Sequence, residues 1–120
     1  MRVKDAVGRY GEQLAVAYLE AAGAVVLARN WRCRDGELDI VARDGDELVF
    51  VEVKTRSSGA FGAPAEAVNR VKAARIRRLA LQWIAAERER GGGFWSAVRF
   101  DVVAVLRTGS PQVTHVKAAF

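Results

Sequence analysis

The stretch that most constrains this chain is GELDIVARDGDELVFVEVKTR, from Gly36 to Arg56, where two apolar runs flank the dipeptide Asp44-Gly45. Between such runs this dipeptide is a strong hairpin signal, because both residues reach the left-handed backbone that tight turns require. With Asp44 and Gly45 as the turn, Arg43 faces Asp46, Asp39 faces Phe50 and Glu37 faces Glu52. Paired residues share a face and side chains alternate along a strand, so Asp39, Glu52 and Lys54 emerge together while Val49, Val51 and Val53 take the other side. A turn of odd length would break this grouping. A charge embedded in an apolar run costs on the order of several kcal/mol unless it is paired, so the cluster needs a structural or chemical reason.

The flanking segments supply a fold. Val7, Tyr10, Leu14, Ala15, Tyr18 and Leu19 recur at helical spacing and predict a first helix ending near Gly23, with Glu12 beside its apolar stripe. Gly8 and Gly11 on that helix would let another element approach closely. AVVLARNWR reads as a short strand that leaves the core around Arg29. After the hairpin, TRSSGAFGA is a loop by composition, with glycines at 59 and 62. Pro64 then suits the first turn of a long helix over residues 65–89, whose core stripe is Ile76, Leu79, Ala80, Trp83 and Ile84. Gly91-Gly92-Gly93 ends it, AVRFDVVAVL alternates as a strand, and QVTHVKA adds a shorter edge strand. A helix between two strands implies a crossover and a parallel pair, so residues 1–120 are expected to form one α/β domain with a mixed sheet.

Two carboxylates and a lysine on neighbouring strands are the groups that a magnesium-dependent phosphodiester hydrolase needs. Asp39 and Glu52 would offer oxygen ligands to Mg2+, whose charge polarises a phosphate and acidifies water. Lys54 would orient or deprotonate that water, or offset charge in the transition state. Glu12 would complete the metal shell if the first helix crosses the end of the hairpin.

The net charge of +5 points to a polyanionic partner, since fifteen of the nineteen basic residues are arginines, whose planar fork fits phosphate oxygens. A GC-rich genome would also produce that excess. The first half of the second helix concentrates the charge in Arg70, Lys72, Arg75, Arg77 and Arg78, and Arg56 stands at the end of the hairpin. This face is read as a phosphate-contacting surface, with a plain solvated helix face as the alternative.

The blocks GRYGEQLAVAYLEAAG, RNWR, GELDIVARDGDELVFVEVKTR, FGAP and RFDVV resemble the YraN family of predicted endonucleases, and the resemblance covers nearly the whole chain. That family is similar in core to archaeal Holliday-junction resolvases and to the wider PD-(D/E)xK, or restriction-endonuclease-like, superfamily. The resemblance implies an αβββαβ core with a mixed sheet flanked by helices. It also implies an active site at Glu12, Asp39, Glu52 and Lys54, with Mg2+ or Mn2+ held by the three carboxylates. Leu38 stands where the superfamily's first motif has proline, a departure the closer family shares. The expected activity is metal-dependent hydrolysis of DNA, with branched or structured DNA as substrate and a homodimer as the arrangement a two-fold junction calls for. A catalytically silent or partner-dependent nucleic-acid-binding module is the alternative.

Each candidate also has a plainer reading. Asp39, Glu52 and Lys54 could form a cross-strand ion-pair cluster on a solvated sheet face, and Glu12 could sit on an ordinary helix surface. Glu37, opposite Glu52, is read as lying on the metal side or in solvent. Trp31, among Arg29, Arg32 and Arg34, would stack on nucleic acid or pack on the core. Asp101, which shares a strand face with Arg99, is read as a structural partner or a cap rather than a ligand and is left out of the site. The lone Cys33 cannot form a disulfide within the chain and argues against a redox or zinc role, and the lone His115 argues against the histidine-metal families of nuclease. With neither a signal-peptide pattern nor a stretch long enough to span a membrane, a cytoplasmic location is expected.

Overall fold

The hairpin forms, with its pairing shifted by two residues from the expected one. In the computed structural model, which describes residues 6–57, 68–107 and 109–120, strand β2 (Gly36–Asp44) and strand β3 (Glu47–Arg56) pair antiparallel with Asp44 opposite Glu47. The two turn residues are therefore Gly45 and Asp46, and Gly45 takes a φ of 65°, which glycine adopts without strain. Arg43 faces Leu48 rather than Asp46, and Val41 rather than Asp39 faces Phe50. The slip is two residues, an even number, so the face of each side chain is preserved.

Strand β1 (Val25–Cys33) pairs antiparallel with β2, β4 (Ala97–Leu106) runs parallel to β3, and β5 (Gln112–Val116) closes the other edge in the order β1-β2-β3-β4-β5. The sheet is mixed, as the crossover requires. β1 does not leave the core at Arg29: it continues to Cys33 opposite Gly36, after an irregularity between Val26 and Ala28 and with Asn30 at a φ of 51°. An extra residue in one strand of a pair bends and twists it, so β1 can follow the sheet further than its apolar run suggests.

Helix α1 (Ala6–Ala21) covers one face of the sheet, where Ala15 and Leu19 pack with Ile40, Val49, Val51, Val103 and Val105. Helix α2 (Arg70–Glu89) covers the other face, where Ile76, Leu79, Ala80 and Trp83 meet Val41, Leu48, Phe50 and Val102. The stripe expected for this helix is the buried one. Phe50 anchors that face, edge-on to Trp83 and stacked on Phe100. Among the described residues α2 starts at Arg70 rather than near residue 65, because Asn69 is its N-cap and accepts the Lys72 N–H through Oδ1 at 2.8 Å. Of the expected loop TRSSGAFGA, Thr55 and Arg56 instead extend β3 alongside β4, while its glycines and Pro64 lie outside the described residues.

Gly11 is where α1 touches the sheet. A Cβ at this position would overlap Thr55 Oγ1 and stand 3.0 Å from Thr55 Cβ, so the absence of a side chain sets the approach of α1 to β3. Gly11→Ala gains helix propensity of about 1 kcal/mol, yet overpacking against a stiff β-branched residue costs about 1–3 kcal/mol. A net loss of stability in urea denaturation is expected, with Thr55→Ala partly restoring it. A Gly11→Ala protein as stable as the parent would show that the contact is slack.

Candidate active site

The β2–β3 ladder stops at Ile40 opposite Val51, although both strands continue. Beyond that point β2 stays paired with β1 down to Gly36 opposite Cys33, while β3 stays paired with β4 up to Arg56 opposite Leu106. The sheet forks. The start of α1 and the first half of α2 flank the fork from opposite faces, and together they enclose a cavity of about 520 Å3.

Among the described residues, four carboxylates line it: Glu12 from α1, Glu37 and Asp39 from β2, and Glu52 from β3. Glu12 is only 3% exposed, and with Ala15 and Leu19 it belongs to the buried stripe of α1 rather than lying beside it. Asp39 is 9% exposed and spans the fork, its Oδ2 accepting the Val53 N–H at 2.9 Å. This bond occupies a backbone donor where the ladder stops. Asp39 therefore reaches β3 through its side chain, at a point where the expected pairing had Phe50 opposite. Glu52 projects toward α2, where Lys72 Nζ stands 2.8 Å from its Oε1. Glu37 does not meet Glu52 across the ladder: it faces Arg32 of β1 and accepts from Arg32 Nε at 3.2 Å.

Among the described residues, three cations share the cavity, namely Lys54 from β3 and Lys72 and Arg75 from α2. The structure thus brings Glu12, Asp39, Glu52 and Lys54 into one cavity from three elements, although these residues are scattered over more than forty positions of the chain. The even slip of the hairpin preserves the separation of faces within β3: Glu52 reaches α2, and Val53 packs toward the α1 side.

The basic face of α2 divides in use. Lys72 and Arg75 turn into the cavity, and Arg70 and Arg78 are exposed. The Arg77 guanidinium lies 5.4 Å from the centroid of Phe100 and 5.7 Å from that of Phe120, a packing role that the charge pattern did not disclose. Arg56, at the end of β3, is half-buried. Trp31 packs, half-buried, against the α2-side core, the plainer of its two readings.

The donor set matches a hard divalent cation in kind, being carboxylate oxygens with an ammonium nearby. As the side chains stand, no three Asp, Glu, His or Cys groups among the described residues converge closely enough to hold a metal ion. Asp39 is engaged by Val53 and Glu52 by Lys72, so closing a metal shell requires local side-chain movement. The engagement of Lys72 was not legible beforehand, because nothing in the local pattern of α2 says which strand its first turn will meet.

A model of an uncharacterised protein family, UPF0102, matches residues 11–105. The chain belongs to this family. A UPF0102 protein of Beutenbergia cavernae is 60% identical over 119 residues, covering 98% of each chain. One from Frankia alni is 57% identical over 122 residues, covering all of this chain and 98% of its own. One from Nocardia farcinica is 53% identical over 119 residues, covering 98% and 91%. The UPF0102 match agrees with the YraN-type resemblance of the sequence blocks, and the matched span includes all four candidate active-site residues.

Proposed function

We propose that this UPF0102 protein is a divalent-cation-dependent DNA endonuclease with a restriction-endonuclease-like core. The observation that carries the reading is the gathering of Glu12, Asp39, Glu52 and Lys54 in one cavity at a fork in the sheet. The order α1-β1-β2-β3-α2-β4 supports it, since it follows the αβββαβ core that the resemblance implied.

In this reading Asp39, Glu52 and Glu12 hold Mg2+ or Mn2+, which when bound supplies Lewis-acid charge at the scissile phosphate. Lys54 orients the attacking water or takes its proton, and its ammonium offsets the charge that builds on the phosphate. Arg75 and Lys72 at the cavity, with Arg70, Arg78 and Arg56 outside it, hold the flanking phosphates. Structured or branched DNA is the proposed substrate, a homodimer would place two such cavities on one junction, and the cytoplasm is the proposed location.

A second reading has its own support. Because Glu52 is held by Lys72 and no three carboxylates converge among the described residues, a nucleic-acid-binding module without cleavage would look the same at rest. The deciding experiment offers labelled single-stranded, duplex, flap and four-way-junction DNAs to the protein with Mn2+ or Mg2+, beside identically purified Glu52→Ala. Cutting by the wild type alone supports the nuclease and identifies its substrate shape. If neither protein cuts while both bind DNA, the binding module stands; equal cutting by both assigns the activity to a contaminant.

A further inference from the structure

The ion pair between Lys72 and Glu52 stands inside the candidate active site and has no role in the chemistry proposed for it. Both groups are sheltered, the side chains being 32% and 14% exposed, and Nζ stands 2.8 Å from Oε1. The helix start that carries Lys72 is tied down by Asn69, whose Oδ1 accepts the Lys72 backbone N–H at 2.8 Å. The ammonium is therefore delivered by a capped helix end, and it stands against one of the carboxylates that a metal would need.

We infer that Lys72 is a resident counter-ion of Glu52, a latch that occupies the place of a divalent cation and that the cation must displace. The inference rests on the metal-binding reading of this cavity. The physical ground is that buried carboxylates crowded into one cavity repel one another unless a cation stands among them. Lys72 supplies that charge with no metal bound. An incoming divalent ion is repelled by the same ammonium, and its binding and the Lys72 contact compete for one carboxylate. Competition of this kind is a coupling free energy, reciprocal by linkage: what removes Lys72 from Glu52 tightens the metal, and the metal releases Lys72. A DNA phosphate near the cavity would be a natural acceptor for the released ammonium.

Two measurements on the full chain test this without recourse to cleavage. The first is Mn2+ affinity by calorimetry for the wild type, Lys72→Ala and Arg88→Ala. Arg88→Ala removes an equal charge sixteen residues along α2, about 24 Å away at the rise of a helix. Lys72→Ala is expected to bind Mn2+ about fivefold tighter or more, with Arg88→Ala near the wild type. The second is the acylation of Lys72 by an amine-reactive reagent, read by mass spectrometry with and without Mg2+. Mg2+ is expected to raise the modification of Lys72 severalfold relative to Lys117, an exposed lysine of the same chain.

Equal Mn2+ affinity in the wild type and Lys72→Ala, with unchanged Lys72 reactivity, would overturn the latch and leave the metal site standing. Weaker binding by Lys72→Ala would overturn it too, showing that Lys72 supports the site rather than obstructs it. If no variant binds Mn2+ and Mg2+ leaves Lys72 unchanged, both the latch and the metal-dependent reading fail. Circular dichroism on each variant confirms that the fold is retained.

Discussion

On the proposed nuclease reading, Lys54→Met is expected to slow DNA cleavage by about 10²–10³-fold while the protein stays folded and keeps its affinity for Mn2+ and DNA. Lys54 is exposed at the mouth of the cavity, so its removal takes little from the core, and surface changes of this kind usually stay within about 0.5 kcal/mol. In that reading, what is lost is a positive charge near the phosphate and a nitrogen able to carry a proton. Single-turnover cleavage separates that loss from weakened binding, and DNA affinity at fixed salt registers the one missing contact. Lys54→Arg divides the two roles further. Arginine keeps the charge but does not give up a proton, so a rate that survives in Lys54→Arg assigns an electrostatic role, and a rate lost in both variants assigns proton transfer. Cleavage by Lys54→Met within tenfold of the wild type would remove Lys54 from the reaction path.

The second large effect concerns stability. Asp101→Asn is expected to cost about 3–5 kcal/mol, a large share of the roughly 5–15 kcal/mol available to a domain of this kind. Asp101 is completely buried in β4 and satisfies four donors. Arg99 Nε and Nη2 reach it at 2.9 and 3.0 Å, the Ala118 N–H at 3.0 Å and His115 Nε2 at 2.7 Å. The same Arg99 fork extends to Asp44 at 3.1 Å and Glu47 at 2.7 Å. One carboxylate thus joins β4 to the hairpin turn, to β5 and to the C-terminal residues. Removing its charge leaves the half-buried Arg99 guanidinium with only Asp44 and Glu47 as partners and replaces one accepting oxygen of Asp101 by an NH2 that cannot accept, which costs more than the pair itself contributes.

Protonation should act in the same direction. Burial works against the charged form of Asp101, but Arg99, the Ala118 N–H and His115 together outweigh it and hold the carboxyl below its ordinary value of 3.8. A carboxylate with a depressed pKa contributes stability that is fully present above the unfolded value and is lost as pH falls through the folded one. The stability gap between the wild type and Asp101→Asn, read from urea midpoints, should therefore narrow below about pH 4. A gap under 1 kcal/mol at pH 7, or one that does not narrow in acid, would show that the charge of Asp101 is not what holds these elements together.

Much of this architecture is visible in residue patterns. The period of α2 identified Ile76, Leu79, Ala80 and Trp83 as core, the crossover required β3 and β4 to be parallel, and Asp101 was legible as a partner of Arg99. Periodicity and turn chemistry are short-range, so they survive without knowledge of the rest of the chain. The hairpin marks the limit of that reach. Asp44-Gly45 signals a turn, but reversal about Asp44 and Gly45 and reversal about Gly45 and Asp46 leave Leu48 and Phe50 on the same face, so the apolar alternation does not choose between them.

By itself the sequence determined the order of the elements, the two-residue turn and the parity that sends Glu52 and Val53 to opposite faces. Each of these follows from side-chain spacing within one segment. Only the tertiary structure decided that β2 and β3 part beyond Ile40 and Val51, that Asp39 crosses the gap to Val53, that Lys72 rests on Glu52 and that Arg77 packs on Phe100 and Phe120. Those contacts join segments far apart in the chain, and their geometry is set by how two helices settle on a twisted sheet, which no local pattern encodes.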